Sequence, residues 1–413
     1  MSKKIVNTYF PTSLLPYFPI NDALNYLNYL CIFGIKEGLE RITALADKLG
    51  NPQNFYRTVH VTGTNGKGSV CAMLAEMFKV SGLRVGLFTS PHLESYCERI
   101  RINGENIPED DFAEIILRVK NCNISCTHFE ALTAAAFLYF KEQAVDVAVI
   151  EVGLGGLFDS TNIITPELSI ITNVARDHEN ILGDLKNIAV NKAGIIKPNV
   201  PTITGAIGEP LKIIRNVARE KNSPLYEVNP YNLKPNTYNL NLHGEYQKFN
   251  AAIAIEAAKV LKLTDAAISD ALANVQWVGR FEIVNTAAGV VVIDGAHNPH
   301  GATALRQSLD KIFPNGQRTW IFGALRDKDF DAMTEILFRQ NDFVIVTPPN
   351  SERAATPEII CNSLRKRGIE CVAVDDNFAA VEQLMNSISD VKIIAGSLYL
   401  IGAVRKLVWS WEH

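Results

Sequence analysis

The run Val61-Thr62-Gly63-Thr64-Asn65-Gly66-Lys67-Gly68-Ser69 sets three glycines and several small polar residues around one lysine. Small residues let successive backbone N–H groups turn inward onto phosphate oxygens, and a helix that starts there adds partial positive charge. Lys67 supplies a full charge toward the β- and γ-phosphates of a nucleoside triphosphate, and the Ser69 hydroxyl reaches a phosphate or a Mg²⁺ ion. The bland alternative is a glycine turn with an exposed lysine. It is disfavoured because the run follows an apolar strand pattern and opens a helical one. The general GxxxxGK[ST] pattern is not met: Val61 occupies the first glycine position, and Gly68 separates the lysine from the serine.

Three further groups fall at the ends of predicted strands. Ser90 lies in Thr89-Ser90-Pro91-His92-Leu93, Glu151 ends an apolar run, and His178 lies in Asp177-His178-Glu179-Asn180-Ile181-Leu182-Gly183. In an open parallel sheet such ends converge on the crevice where ligands bind. A carboxylate beside nucleotide phosphates is a natural Mg²⁺ ligand. Imidazole is a less usual one. Singly, an acid after a strand is more often a cap, and a histidine more often structural; their coincidence around one phosphate loop favours a metal site. Gly153-Leu154-Gly155-Gly156 then leads to Phe158-Asp159-Ser160, which reads either as a flexible turn or as a close backbone approach to a substrate with Asp159 as polar anchor. Asp294-Gly295-Ala296-His297-Asn298-Pro299-His300-Gly301 suggests a metal at first sight, but no clear further ligand accompanies it, so hydrogen bonding to a nucleotide or an amino acid is preferred. Arg280 either reaches a phosphate across a cleft or forms a surface salt bridge.

The elements that must hold these groups are short apolar runs alternating with helical stretches. Thr58–Thr62, Arg84–Thr89, Val145–Val152 and Leu168–Asn173 read as strands, and Val70, Met73, Leu74, Met77 and Phe78 recur at helical spacing. Residues 222–248, rich in Asn, Tyr and Pro, have weak periodicity, and an Ala-rich helix is expected over Asn250–Leu261. A second series follows at Val290–Asp294, Thr319–Phe322, Asp342–Thr347, Glu370–Val374 and Val391–Ala395. This alternation predicts an α/β fold with a mostly parallel sheet in each of two domains, divided near residue 277. The 413-residue length agrees with two domains. A 47% apolar composition excludes a disordered chain, and a net charge of −4 disfavours nucleic acid or anionic lipid as main partner. No run approaches the length of a membrane helix, and the first residues lack the pattern of a secretion signal. Seven cysteines without a CxxC pair argue against a disulfide framework and for a cytoplasmic chain; Cys122 and Cys126 lack a second ligand pair, which disfavours zinc.

GTNGKGS, TSPHL, EVGLGG with DSTN, DHxxxLG, NKAGIIK, GRFE, DGAHNPHG and Gly396-Ser397-Leu398-Tyr399 occur in this order. With them the chain resembles the folylpolyglutamate synthase/dihydrofolate synthase family, within the Mur ligase superfamily, from about Gly38-Leu39-Glu40-Arg41 to the C-terminus. The resemblance implies an N-terminal P-loop ATPase domain (residues 1–276) and a smaller, Rossmann-like C-terminal α/β domain (residues 277–413). It implies an ATP-dependent amide ligase whose phosphate loop is Gly63, Thr64, Asn65, Gly66, Lys67, Gly68 and Ser69. Mg²⁺ ligands are then Ser90, Glu151 and His178, with Asn250, Arg280 and Asp294 as further ATP contacts. The pterin site involves Thr127, His128, Phe129 and Glu130 with Phe158, Asp159 and Ser160, and His297 and Ser397 also bind substrate. Lys192 matches a lysine carbamylated in the family, and Lys67, Glu151, His178 and Lys192 form the catalytic set. Two positions depart from the pattern: Leu157 stands where an arginine is usual, and Arg326 falls in a loop usually read G-x-L-A-D-K-D.

The implied reaction makes an acyl phosphate from a substrate carboxylate and ATP, then transfers the acyl group to L-glutamate. The implied acceptors are dihydropteroate and folates already bearing glutamate, both used by one monomeric enzyme. A synthase using a single acceptor, a peptidoglycan Mur ligase, a nucleotide-gated switch and a non-catalytic folate-binding protein are the alternatives.

Overall fold

The computed structural model describes residues 20–34, 36–230 and 238–411. The first sheet is built from β1 (Arg57–Thr62), β2 (Val85–Phe88), β3 (Ile100–Ile102), β4 (Glu105–Asn106), β5 (Val147–Glu151), β6 (Leu168–Ile171), β7 (Thr202–Thr204) and β8 (Leu225–Glu227). Its strand order is β4-β3-β2-β5-β1-β6-β7-β8, and every neighbouring pair is parallel except β2–β3 and β3–β4. The second sheet comprises β9 (Glu282–Thr286), β10 (Gly289–Asp294), β11 (Arg318–Phe322), β12 (Phe343–Val346), β13 (Glu370–Ala373) and β14 (Val391–Ala395). Its order is β13-β12-β11-β14-β10-β9, and only β9 runs antiparallel.

Strand alternation explains how β1 serves the site. Side chains two apart share a face. Val59 and Val61 pack into the apolar layer made with the helices Lys67–Val80 and Glu245–Val260. His60 and Thr62 are buried on the other face, where Thr62 Oγ1 donates to Gly155 O at 2.5 Å. The helix Lys67–Val80 is held by Val70, Met73, Leu74 and Met77, all fully buried. Each such side chain contributes about 1.5–3 kcal/mol, so the phosphate loop before this helix is anchored on both sides.

Helix starts are set by side chains. Thr127 and Glu130 form a reciprocal capping box at the start of His128–Glu142, and Asp184 caps Leu185–Ala193. That second helix ends at Ala193 and carries Lys192 in its last turn. The Ala-rich helix starts at Glu245, five residues before Asn250, because Gly244 supplies the break. Five strands went unread: β3, β4, β7, β8 and β9 are short or lie at a margin, and their residues do not form apolar runs. Residues 222–248 hold one of them, the short edge strand β8; residues 231–237 of that stretch, and the N-terminal residues read above for a signal, lie outside the described residues.

Candidate active site

The carboxyl ends of β1, β5 and β6 open into a cavity of about 640 Å³, closed from the other side by residues of the second sheet's segment. Its walls include Gly63–Ser69, Ser90, Glu151, His178, Lys192, Asn250, Arg280, Asp294 and His297. Gly66 has φ +81°, and a Cβ there would come within 2.3 Å of Asn250 Oδ1, so both backbone and space demand glycine. Asn250 Nδ2 donates to Gln247 Oε1 (2.9 Å), and Gln247 Nε2 donates to Ser69 Oγ (3.2 Å). The helix Glu245–Val260 thereby orients the phosphate-loop serine. Among the described residues, Lys67 Nζ donates only to loop carbonyls, Gly63 O at 3.1 Å and Thr64 O at 3.4 Å. No carboxylate forms an ion pair with it among the described residues, which leaves its charge available to a phosphate.

Glu151 is buried at the end of β5, and its Oε2 accepts the Ser90 N–H at 2.9 Å. Burial raises its carboxyl pKa; nearby Lys67 opposes that rise. Glu151 Oε1 and Ser90 Oγ make no hydrogen bond among the described residues, so two hard oxygen donors line the cavity unengaged, which suits Mg²⁺. No cluster of three His, Cys, Asp or Glu side chains among the described residues is arranged to hold a metal alone. A divalent ion here therefore needs the serine hydroxyl and nucleotide oxygens as well. His178 starts the short helix Glu179–Leu182 with φ +53°. Its Nε2 lies 3.3 Å from Lys328 Nζ, an ammonium that can only donate, so this nitrogen is engaged as an acceptor. Ligation of a metal by Nε2 requires that contact to open.

Lys192 is buried, and its Nζ donates to Gly63 O at 2.9 Å, the same carbonyl that Lys67 approaches. Burial, and then the charge of Lys67, push its pKa down to about 7. Asp294 accepts the Tyr246 hydroxyl (2.5 Å) and the Phe281 N–H (2.9 Å) on Oδ2, and the Ala296 N–H (2.8 Å) on Oδ1. Its role in the structure is to tie the linker at Phe281 to the end of β10. Arg280 reaches the cavity from this linker and forms no ion pair among the described residues.

The sequence pattern did not single out the contacts joining the two halves. Asn65 and Asn298 exchange amide hydrogen bonds at 3.3 and 3.1 Å, and Asn65 Nδ2 donates to His300 Nδ1 at 2.8 Å. Asp177 accepts from Lys328 Nζ (2.8 Å) and Asn298 Nδ2 (2.9 Å). Both Asp177 and Lys328 side chains are only 10% exposed, and the Lys328 charge holds the Asp177 carboxyl far below its ordinary pKa despite burial. Asp177 adjoins His178 and Lys328 sits in the loop of Arg326, so the signal was adjacency to motifs already noted. Arg326 itself points elsewhere, to Glu352 O at 2.6 Å.

A second cavity, of about 650 Å³, shares Ser90, His178 and His297 with the first. It is lined by Thr127–Glu130, Phe158, Asp159, Ser160 and Ser397. Several of these side chains also shape the walls. Glu130 pairs with Arg41 at 3.0 Å, and Ser160 Oγ lies 2.8 Å from Thr133 Oγ1. Phe158 stays 45% exposed, an apolar surface facing the cavity mouth. Arg99, missed in the sequence, is buried in this wall, with Nε donating to His92 Nδ1 at 2.8 Å. Burial, then the Arg99 charge, lower the pKa of His92 to about 3 and of His128 to about 4, so both rings are neutral. Leu157 lines neither cavity; it turns into a separate hollow with Leu39, Ile196 and Pro198.

Residues 61–293 match the family described as Mur ligase middle domain, and residues 279–398 match Mur ligase, glutamate ligase domain. Folylpolyglutamate synthase of Lacticaseibacillus casei is 37% identical over 89% of this chain and 93% of its own length. Dihydrofolate synthase/folylpolyglutamate synthase of Bacillus subtilis is 33% identical over 93% and 98%. The solved structure of Escherichia coli FolC in complex with DHPP and ADP superposes with a TM-score of 0.87 at 30% identity, covering 95% of this chain and 98% of that one. A phosphate loop at a parallel-sheet switch point, a second substrate cavity sharing its wall, and full-length likeness of sequence and fold agree: the chain belongs to the folylpolyglutamate synthase/dihydrofolate synthase family of Mur ligases.

Proposed function

We propose that this chain joins L-glutamate to dihydropteroate, and to folates already carrying glutamate, through an acyl phosphate formed with ATP. The observation that carries this reading is the wall common to the two cavities. A nucleotide with its phosphates on Gly63–Ser69 and an acceptor seated beside Phe158 and Asp159 meet at Ser90, His178 and His297. The family's ligases use ATP with a divalent metal. Ser90 and Glu151, with His178 once released from Lys328, would hold that ion, which supplies charge neutralisation of the phosphates.

A free carboxylate is a poor acyl donor because oxide is a poor leaving group. Attack of a carboxylate oxygen on the γ-phosphorus forms an acyl–O–P bond and breaks the bond to ADP. Lys67 and Arg280 bring positive charge to the transferring phosphoryl group. The glutamate amine, having lost its ammonium proton, then attacks the acyl carbon, and the tetrahedral intermediate expels phosphate. Asn65 bonded to Asn298 and Asp177 bonded to Lys328 hold the two halves over this chemistry and keep water from the acyl phosphate. The same reading keeps residues 1–276 as the nucleotide domain and 277–413 as its closing partner, with a single chain sufficient for the site.

The test is ADP release by purified enzyme with MgATP and glutamate, each acceptor supplied separately. Dihydropteroate and a tetrahydrofolate are each expected to stimulate glutamate-dependent turnover. A response to one alone reduces the enzyme to a single synthase activity, and a response to neither overturns the reading.

A further inference from the structure

We propose that His60 is a positioning residue for the acceptor substrate: through Thr161 it fixes Asp159 as a hydrogen-bond acceptor in the wall of the second cavity. The proposal rests on the reading that this cavity holds the acceptor. Asp159 collects donors from three places. Its Oδ1 accepts the Thr161 N–H (3.0 Å) and the Thr161 hydroxyl (2.5 Å), and its Oδ2 accepts the Leu154 N–H (2.9 Å). Every one of these groups donates, so the carboxyl serves as an acceptor; burial raises its pKa, and the donors from Thr161 and Leu154 oppose that rise and favour the ionised form.

The Thr161 hydroxyl has one proton, and it goes to Asp159. Its oxygen therefore offers only lone pairs to His60 Nε2, which lies 2.8 Å away. The imidazole must carry its proton on Nε2 and donate. Two facts agree with that tautomer. Nδ1 is buried with no hydrogen-bond partner among the described residues, as a bare nitrogen tolerates better than an N–H does. Full burial, then the charge of Lys197, lower the pKa of His60 to about 3, so the ring holds a single proton at neutral pH. A buried polar ring with one nitrogen unsatisfied is costly beside an apolar residue of the same size, and such a group calls for a reason.

The reason lies in the strand. His60 and Thr62 project from the same face of β1, and both grip the glycine loop: His60 holds Thr161, and Thr62 donates to Gly155 O. The carboxyl end of that same strand runs straight into Gly63 and the phosphate loop. One rigid strand thus carries the nucleotide's phosphate cradle at its tip and the acceptor's anchor on its flank. Locking Thr161 from β1 fixes where Asp159 presents its free acceptor capacity relative to the γ-phosphate. The ligand chemistry this suits is an edge of N–H donors on the carboxylate-bearing acceptor.

Steady-state kinetics of the full-length enzyme test this with dihydropteroate as the varied substrate. Thr161→Val and His60→Leu are expected to raise the acceptor KM about tenfold, the value of one charge-linked hydrogen bond. The KM values for ATP and glutamate should stay within twofold. Thr161→Ser, which keeps the hydroxyl, and His60→Gln, which places an amide N–H near the former Nε2, are expected to recover the acceptor KM. Thermal melting of each variant separates a folding defect from a binding one. Equal rises in all three KM values, or no recovery by Ser and Gln, would overturn the proposal in favour of a purely structural role. Asp159→Asn distinguishes the two levels of inference. If it raises the acceptor KM while Thr161→Val does not, the relay is wrong and the cavity reading stands. If it too leaves the acceptor KM unchanged, the cavity reading fails and the relay with it.

Discussion

Lys192 offers the sharpest chemical test. An ordinary lysine with a pKa near 10.4 is about 0.1% neutral at pH 7.5. With the pKa lowered to about 7 by burial and by Lys67, about three-quarters of Lys192 is the free amine at that pH. The supply of nucleophilic nitrogen is thus several-hundred-fold larger than at a solvated lysine. Attack of that free amine on CO₂ forms an N–C bond and releases one proton, and it turns a neutral group beside Gly63 O into an anion beside Lys67. The carbamate anion then lies beside the Lys67 charge, so the site favours the modification both by supplying free amine and by stabilising the product. Protein equilibrated with ¹³C-bicarbonate should show a carbamate resonance that Lys192→Ala lacks. Lys192→Ala should lose about 10²–10³ in kcat, the usual loss for a preorganised charge in a dry site, with part restored by a small carboxylic acid. Lys192→Arg keeps a cation but cannot add CO₂, and should be as inactive as the alanine variant. An active Lys192→Arg enzyme, or the absence of a bicarbonate-dependent resonance, would refute the reasoning.

Further outcomes follow from the same geometry. Glu151→Gln keeps volume and loses charge, so turnover should fall at least a hundredfold with the melting temperature nearly unchanged; near-normal ADP release at saturating Mg²⁺ would remove Glu151 from the metal site. Breaking the buried Asp177–Lys328 pair by Asp177→Ala should cost about 3–5 kcal/mol of closed-state stability. In a double-mutant cycle with Lys328→Ala the two losses should be strongly non-additive, and simple multiplication of the two rate effects would show that the pair is not coupled. The depressed Lys192 pKa also has a sign. Between about pH 7 and 10 the unfolded chain binds that proton and the folded chain does not, so this group's contribution to stability rises with pH across the window; comparing wild type and Lys192→Met in denaturant titrations at pH 7 and 9 measures it.

Much of the site was legible because its residues sit at strand ends, where both position and chemistry are local. The phosphate loop, Ser90 and Glu151 each follow an apolar run that could only be a buried strand. What was not legible came from contacts far apart in sequence. Asp177 reads as a neighbour of His178 until Lys328, 151 residues later, is seen to rest on it. Asp294 reads as a nucleotide contact and does line the first cavity, but the sequence does not show that its oxygens also receive Tyr246, Phe281 and Ala296. Arg99 is unremarkable in ERI, and becomes a wall of the second cavity only because β3 folds back beside β2. The missed strands failed for a related reason: a short edge strand such as β8, with all three residues at least partly exposed, has no apolar run to betray it.

Gly68, the residue that breaks the usual phosphate-loop pattern, has a consequence of another kind. A Cβ at that position would meet the Trp277 ring at 3.0 Å. The indole of the inter-sheet linker thus rests directly on the backbone of the first helical turn, with the Arg101 guanidinium 5.2 Å from its ring centre. Of the four tryptophans, Trp320 is sealed in the second sheet's core, and Trp409 and Trp411 lie at the far end of the chain. Trp277 alone touches the phosphate loop. Trp277 emission is therefore expected to change when a nucleotide occupies the loop, an optical gauge that needs no label attached.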